Sequence, residues 1–186
     1  DLCHVGRGLV RLYEMIWDNR VLEDIKGLAI YFLTDAKDGT MQGVWDSTLG
    51  TWLIGPWPHV GFEHLENTPA NKAGWGFSAY GVSEFLLDAY VHIDDNKIKK
   101  QIAEKTVQSA KWFFDNCQFD DGGMGITGRD DKWLGMAAAA VLYYTKMKKR
   151  NIVTYKDEIY LKPLALKTWR WLKENANPLS MPLAGY

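Results

Sequence analysis

Two segments of the chain have helical periodicity and yet lack a continuous polar face, and this feature restricts the fold most. Segment 75–92 is apolar on several sides, and segment 132–149 contains the run GMAAAAVL at 135–142, which is small and apolar on every side. A helix without a polar face must be surrounded by other protein. We therefore expect both segments to form inner helices.

Amphipathic segments alternate with these two. Segment 97–116 has one apolar face and a second face rich in Lys and Glu, and Asp94-Asp95-Asn96 supplies its N-cap. Asp130 or Asp131 is predicted to cap 132–149. The last helix is predicted to begin near Pro163, because proline suits a first turn, and to end near Asn175.

The N-terminal region predicts two more helices. Apolar residues recur at spacings of three and four over the first of them, and the second covers Val21–Thr34 after a break at Asp18-Asn19. The predicted apolar face of the first helix consists of Leu9, Leu12, Tyr13, Ile16 and Trp17.

Short connections between neighbouring helices favour antiparallel hairpins. An inner row of apolar helices and an outer row of amphipathic ones is typical of an α/α toroid. A faint repeat supports this, since DGTM follows one predicted helix and DGGM follows another. We predict an all-α, single-domain chain over 1–186, built as a toroid-like arc of about three hairpins, and a fragment of a larger toroid is an equally open interpretation. The ends of such an arc need a cap, a further domain or another subunit, so a homo-oligomer is one option.

A long Trp-rich loop, from about 35 to 73, interrupts the helices with the stretch DGTMQGVWDSTLGTWLIGPW at 38–57. In a toroid, loops from outer to inner helices lie at one end of the ring. Trp side chains there would stack on sugars, surround an isoprenoid chain, or simply cover the core. The candidate ligand-binding residues of this loop and of the next are Trp45, Trp52, Trp57, Trp75, His59, Glu63, His64, Lys72, Asp121 and Arg129.

Metal and cofactor chemistry is not predicted. His59 and His64 are five residues apart beside Pro58 and Gly61, which does not fit the helical zinc motif. No phosphate loop, dinucleotide fingerprint or nucleophile elbow occurs. We therefore expect no cofactor and no metal, and we interpret the two histidines as contacts to substrate or solvent.

The bulk properties exclude several partner classes. A net charge of -1 gives no reason to expect nucleic acid, and no apolar run reaches the length of a membrane span. Two cysteines, Cys3 and Cys117, cannot supply a disulfide framework and favour a reducing, cytoplasmic compartment, although a single disulfide remains open.

The stretch WFFDNCQFDDGGMG at 112–125 resembles the glycine-ended repeat of terpenoid cyclases and protein prenyltransferases. The loop GGMGITGRDDKW at 122–133 also resembles the prenyltransferase loop that leads into a zinc-binding helix. Here Leu134 follows in place of the zinc-binding His, and the acidic cyclase motif is absent. The resemblance therefore implies a similar fold without the chemistry of either family.

Other motifs resemble the unsaturated glycuronyl hydrolases, which are six-hairpin toroids. These are DG…WD at 38–46, AGWG at 73–76 and the Ala-rich segment 130–142. By this resemblance Asp46 is the general acid and base, which protonates the C4=C5 bond of a terminal uronate and then activates water. Trp45 and Trp75 would form the stacking floor. Gly43 stands where those enzymes tend to carry His.

The same resemblance implies that Lys72 or Arg129 pairs with the uronate carboxylate. The leading expectation is a carbohydrate-active enzyme domain, hydrolase or lyase, that acts on an oligosaccharide. The first alternative is an isoprenoid-binding toroid, which needs a deep apolar pocket lined by Phe77, Tyr80, Met136 and Tyr143. The second is a non-catalytic binding or assembly module.

Overall fold

The computed structural model describes residues 2–36, 45–52, 76–125 and 132–176, except for the side chains of 76–80. These residues form six α-helices and one two-stranded antiparallel β-hairpin. The elements are α1 (Leu2–Ile16), α2 (Asn19–Leu33), β1 (Trp45–Asp46), β2 (Thr51–Trp52), α3 (Gly76–Ala89), α4 (Asn96–Cys117), α5 (Leu134–Lys149) and α6 (Tyr155–Asn175).

The helices form two rows. In one row α1 packs on α3 and α3 packs on α5; in the other, α2 packs on α4 and α4 packs on α6. The hairpin partners α1 and α2, α3 and α4, and α5 and α6 join the rows. The predicted arc of three hairpins is therefore confirmed, with the two apolar helices in the inner row.

The middle hairpin follows its sequence closely. Asp95 caps α4, and its Oδ1 atom accepts hydrogen bonds from the backbone N–H groups of Lys97 and Ile98 at 2.7 and 3.1 Å. The next apolar positions of α4, Ile102 and Ala110, are fully buried. An N-cap residue followed by an amphipathic pattern defines a helix clearly in the sequence. The predicted boundaries of α4 are therefore within one residue of those observed.

The predicted apolar face of α1 was wrong in part. Its buried residues are Cys3, Gly6, Val10 and Tyr13, while the exposed fractions of Leu12, Ile16 and Trp17 are 41%, 53% and 65%. The cause is that α1 carries two neighbouring apolar stripes. The stripe containing Gly6 is buried because a residue without a side chain lets the helices approach closely.

Two predicted helix starts were also wrong. The helix α6 begins at Tyr155, eight residues before Pro163, and Thr154 caps it by accepting a hydrogen bond from the N–H of Asp157 at 3.2 Å. Acidic residues in the first turn favour this start through the helix dipole. Pro163 lies exposed inside the helix, where it removes one intrahelical hydrogen bond.

The helix α5 begins at Leu134, so neither Asp130 nor Asp131 occupies its cap position. Trp133 does so without a side-chain hydrogen bond. Its backbone N–H instead donates to the carbonyl of Met124 at 2.7 Å, and Lys132 pairs with Gly125 in a β-bridge. These extended contacts keep Lys132 and Trp133 out of the helix.

Both cysteines, Cys3 and Cys117, are buried thiols that no disulfide joins. Burial raises the pKa of the Cys3 thiol, which keeps it in the neutral, less reactive form. None of the helices in the described part of the chain has the length and apolar character that crossing a membrane requires.

Two glycines of α1 provide a matched test of this packing. A Cβ atom at Gly6 would lie 2.6 Å from the Phe85 ring and 2.9 Å from Leu28, whereas one at Gly8 would meet nothing within 4 Å. Alanine at position 6 should therefore overpack the helix contact and lower the free energy of unfolding by about 1–3 kcal/mol. Gly8→Ala should raise it by up to about 1 kcal/mol through helix propensity.

Urea unfolding followed by circular dichroism measures both variants. Equal and positive shifts for the two alanines would contradict the close packing of α1 on Phe85 of α3.

Candidate active site

The hairpin β1–β2 lies against the outer helices, in the loop predicted to carry the site. The hydroxyl groups of Thr51 and Ser109 are 2.9 Å apart and are both buried. The Lys105 ammonium donates to the carbonyl of Leu33 at 2.9 Å and to Asp35 Oδ1 at 3.0 Å. The first contact holds the hairpin on α4, and the Lys105 bonds tie the end of α2 to the same helix.

Trp45 and Trp52 are part of the core. Their exposed fractions are 2% and 0%, and their rings meet edge to face with centroids 4.8 Å apart. Trp52 Nε1–H donates to the carbonyl of Phe32 at 2.8 Å, and the Lys105 ammonium lies 4.7 Å from the centroid of the Trp45 ring. Protein therefore covers both indoles, which corrects the expectation that these two stack on a ligand. They cover the core at the end of α2.

Asp46 directly follows the buried Trp45 and is half-buried. Its Oδ1 atom accepts hydrogen bonds from the backbone N–H groups of Thr48 and Leu49 at 2.8 and 3.0 Å. Its backbone carbonyl accepts from Gly50, which adopts φ 72°, a conformation that favours glycine. The turn therefore fixes the carboxylate through Oδ1, and no described residue donates a hydrogen bond to Oδ2.

The second predicted loop carries Asp121, which makes a similar turn. Its Oδ1 accepts from the backbone N–H of Gly123 at 3.0 Å, and the Lys132 ammonium lies 2.5 Å from Oδ2. The hydrogen bond from Lys132 holds the pKa of Asp121 below its usual range. Asp121 is therefore an ionised partner of Lys132 near neutral pH, which suits binding better than proton donation.

The Asp121 loop is anchored on α6. Gln118 Nε2 donates to the carbonyl of Leu164 and to Thr168 Oγ1, both at 2.8 Å. Gly122, at φ 98°, leaves no room for a side chain, since a Cβ there would lie 2.6 Å from the carbonyl oxygen of Lys167. Both candidate loops follow an outer helix and precede an inner one, so Asp46 and Asp121 belong to the same end of the arc.

Seven of the predicted ligand-binding residues lie outside the described residues. They are Trp57, His59, Glu63, His64, Lys72, Trp75 and Arg129. Within 2–36, 45–52, 76–125 and 132–176, no group of three His, Cys, Asp or Glu side chains could hold a metal ion.

A charged cluster on the inner row was missed by sequence reasoning. Lys146 of α5 bonds to Glu84 and Asp88 of α3, with Nζ–O distances of 3.2 and 2.9 Å. Arg150 reaches Asp88 at 3.0 Å, and Arg7 of α1 reaches Glu84 at 3.1 Å. The sequence holds a signal for it, since Glu84 and Asp88 of α3 are four residues apart, as are Lys146 of α5 and Arg150 directly after that helix.

This inner-row charge cluster, Arg7, Glu84, Asp88, Lys146 and Arg150, faces the interior of the arc. The helix α3 packs on α1, α5, α2 and α4, and these two carboxylates are the residues of 81–89 that are not fully buried. Three cations against two carboxylates leave one formal positive charge. The interior wall is therefore polar and slightly positive.

An apolar isoprenoid pocket does not fit this wall. Met136 and Tyr143, which were predicted to line it, are 2% and 4% exposed and belong to the core between α4, α5 and α6. The side chains of Phe77 and Tyr80 lie outside the description.

Comparison with known proteins supports the fold. No family model and no curated protein matches the sequence. Among solved structures, the glycosyl hydrolase family 88 protein from Bacteroides vulgatus matches with a TM-score of 0.69 and 14% identity, over 100% of this chain and 53% of that one. The α/α-toroid fold implied by the glycuronyl hydrolase resemblance is therefore confirmed. The chain spans about half the length of that structure.

Removal of the Lys146 ammonium should show how much the inner-row charge cluster contributes to the free energy of unfolding. Lys146→Met keeps the side-chain length but leaves two mostly buried carboxylates without their shared partner. We expect a loss of about 1.5–3 kcal/mol in the free energy of unfolding, because hydrogen bonds between charged groups are lost while Arg7 and Arg150 still pair with the two carboxylates.

Lys100→Met is the matched control. Lys100 is 76% exposed and lies 3.8 Å from Glu104, so its removal should change stability by less than about 1 kcal/mol. Equal effects of the two substitutions in urea denaturation would show that the inner-row charge cluster does not stabilise the arc.

Proposed function

We propose that the chain is a carbohydrate-active enzyme domain of the glycoside hydrolase type, acting on an oligosaccharide that carries an uronate. The main observation in support is the polar, slightly positive interior wall. Its inner-row charge cluster suits an acidic sugar and does not suit an apolar isoprenoid chain. The fold supports it, because the similar solved structure is a glycosyl hydrolase. A lyase reaction on the same substrate class is the nearest variant of this proposal.

Asp46 is the proposed catalytic residue, and its geometry suits the role. Two backbone N–H groups hold Oδ1 in place, which leaves Oδ2 as the oxygen that would carry the proton to be transferred. A carboxyl group fixed through one oxygen presents the other in a constant direction, which is the positioning that general acid–base catalysis requires.

The proposed reaction hydrates a C4=C5 double bond. Protonated Asp46 delivers its proton to C4, and the resulting positive charge at C5 is shared with the ring oxygen. The carboxylate then removes a proton from water as the water oxygen bonds to C5, which restores the acid. The hemiketal so formed opens and releases the remainder of the oligosaccharide, so one water is consumed and no cofactor is needed.

Substrate binding is assigned to residues of the loop end. Asp121, Trp57, Trp75, His59, Glu63, His64, Lys72 and Arg129 remain the proposed contacts. Lys72 or Arg129 would pair with the uronate carboxylate, and Trp75 would supply a stacking face, as the family resemblance implies. Trp45 and Trp52 contribute by fixing the position of Asp46, because both strands of its hairpin are anchored through them.

The substitution Asp46→Asn tests the catalytic role of the carboxyl group while it keeps the hydrogen bonds of the turn. The amide oxygen of Asn still accepts the two N–H bonds, whereas the group can no longer exchange a proton. With an unsaturated uronyl disaccharide as substrate, we expect turnover to fall by at least about 100-fold. The measurement is the loss of ultraviolet absorbance by the conjugated double bond.

Asp95→Asn is the matched control, because Asp95 also accepts N–H bonds two and three residues ahead and lies at the start of α4. Its activity should stay at the wild-type level. Full activity of Asp46→Asn would remove Asp46 from the mechanism. A wild-type chain that leaves all unsaturated uronyl disaccharides unchanged would contradict the proposed hydrolase reaction.

A further inference from the structure

Two Lys-rich segments of the sequence come together at the end of the arc opposite the candidate active site. They are NKIKK at 96–100, which begins α4, and KMKKR at 146–150, which ends α5 and includes the residue after it. Both segments line one cleft of about 440 Å³, a volume typical of small-molecule sites. The described lining of the cleft consists of Tyr90, Val91, Lys99, Lys149 and Arg150.

The cleft is positively charged. Its described lining contains three cations and no carboxylate. The carboxylates of the turn before α4 are engaged elsewhere, since Asp94 pairs with Lys26 at 3.3 Å and Asp95 caps the helix. In the described part of the chain, neither Lys99 nor Lys149 forms an ion pair. Two ammonium groups therefore line the cleft without a partner of opposite charge.

Helix stability accounts for only one of the two Lys-rich segments. Cations near the C-terminus of a helix complement its dipole, so Lys149 in the last turn of α5 is favourable there. The N-terminus of α4 has the opposite polarity. Its first two turns nevertheless hold Lys97, Lys99 and Lys100 and, beyond the cap residue Asp95, no acidic residue. A local cost of this kind is expected at functional sites.

Two of the cations are held in position before any ligand binds. The Arg150 guanidinium donates from Nη2 to Asp88 Oδ1 at 3.0 Å and from Nη1 to the carbonyl of Lys146 at 3.3 Å. Its buried Nε–H has no hydrogen-bond partner among the described residues. The Lys99 ammonium lies 5.1 Å from the centroid of the Tyr90 ring, a cation–π contact. Groups that are positioned in advance lose less conformational entropy on binding.

We propose that this cleft is a binding site for a phosphate group, either the free ion or an ester of a small molecule. Lys99 and Lys149 supply two unmatched positive charges, and a phosphate group carries about −1.5 to −2 near neutral pH. A carboxylate would match only one of them. Arginine and lysine are the side chains that proteins use for phosphate oxygens. The site is separate from Asp46 and Asp121, because it lies where the inner helices α3 and α5 end.

Isothermal titration calorimetry with inorganic phosphate and with phenyl phosphate tests the proposal, and its outcome does not depend on the proposed hydrolase activity. We expect saturable binding of one phosphate group per chain, weakened by added salt. Lys99→Gln and Lys149→Gln should each weaken binding by at least about tenfold, because each removes a hydrogen bond between charged groups. Neither substitution breaks a described ion pair, and circular dichroism checks that both variants retain their helices.

Lys100→Gln is the matched control. Lys100 follows Lys99 on α4, is 76% exposed and does not line the cleft, so its substitution removes the same charge without removing a contact. Its affinity for phosphate should change less than about twofold, because solvent and salt screen exposed charges.

The comparison of these variants decides between a defined site and a diffuse positive field. Equal losses of affinity in Lys99→Gln and Lys100→Gln would overturn the proposal, and so would the absence of saturable binding of both probes. Tighter binding of phenyl phosphate would identify an ester as the occupant, and tighter binding of inorganic phosphate the free ion. Either of these two results supports a phosphate site in the cleft.

Discussion

The structure depends on the enclosure of α3. From residue 81 to 89, all of its side chains are buried except those of Glu84 and Asp88, so protein must cover every other side of this helix. Gly6 lets α1 pack closely against Phe85 on one flank. On the other flank Lys146 joins α5 to both carboxylates. The arc follows because one central inner helix requires inner neighbours on both flanks and outer helices behind it.

This enclosure also determines where chemistry can occur. The outer helices α2 and α4 end at one side of the arc, and each is followed by a short β-type turn that holds an aspartate. Asp46 is held by its own turn on a hairpin anchored by Trp52, while Asp121 pairs with Lys132. The two carboxylates therefore differ in kind: one keeps an oxygen available for proton transfer and the other is neutralised by a cation.

The sequence predicted those features that local pattern decides. The apolar circumference of α3 and α5, the cap at Asp95 and the order of hairpins required no knowledge of distant contacts. The burial of Trp52 could not be predicted, because its indole N–H donates to the carbonyl of Phe32, which lies twenty residues earlier in the chain. The inner-row charge cluster likewise joins residues about sixty positions apart. On α1, apolar residues recur with helical spacing on two neighbouring sides. The close approach of helices at Gly6 determines which of these sides is buried.

The distribution of polarity determines how strongly the candidate site can act on a charged ligand. An open arc leaves the inner-row charge cluster on one wall of a groove in contact with bulk water, where Coulomb interactions are weak. A substrate that fills this groove would exclude part of the water. The same charges would then act on an acidic sugar through a lower effective dielectric constant, so that filling the groove itself strengthens the electrostatic interaction with the ligand.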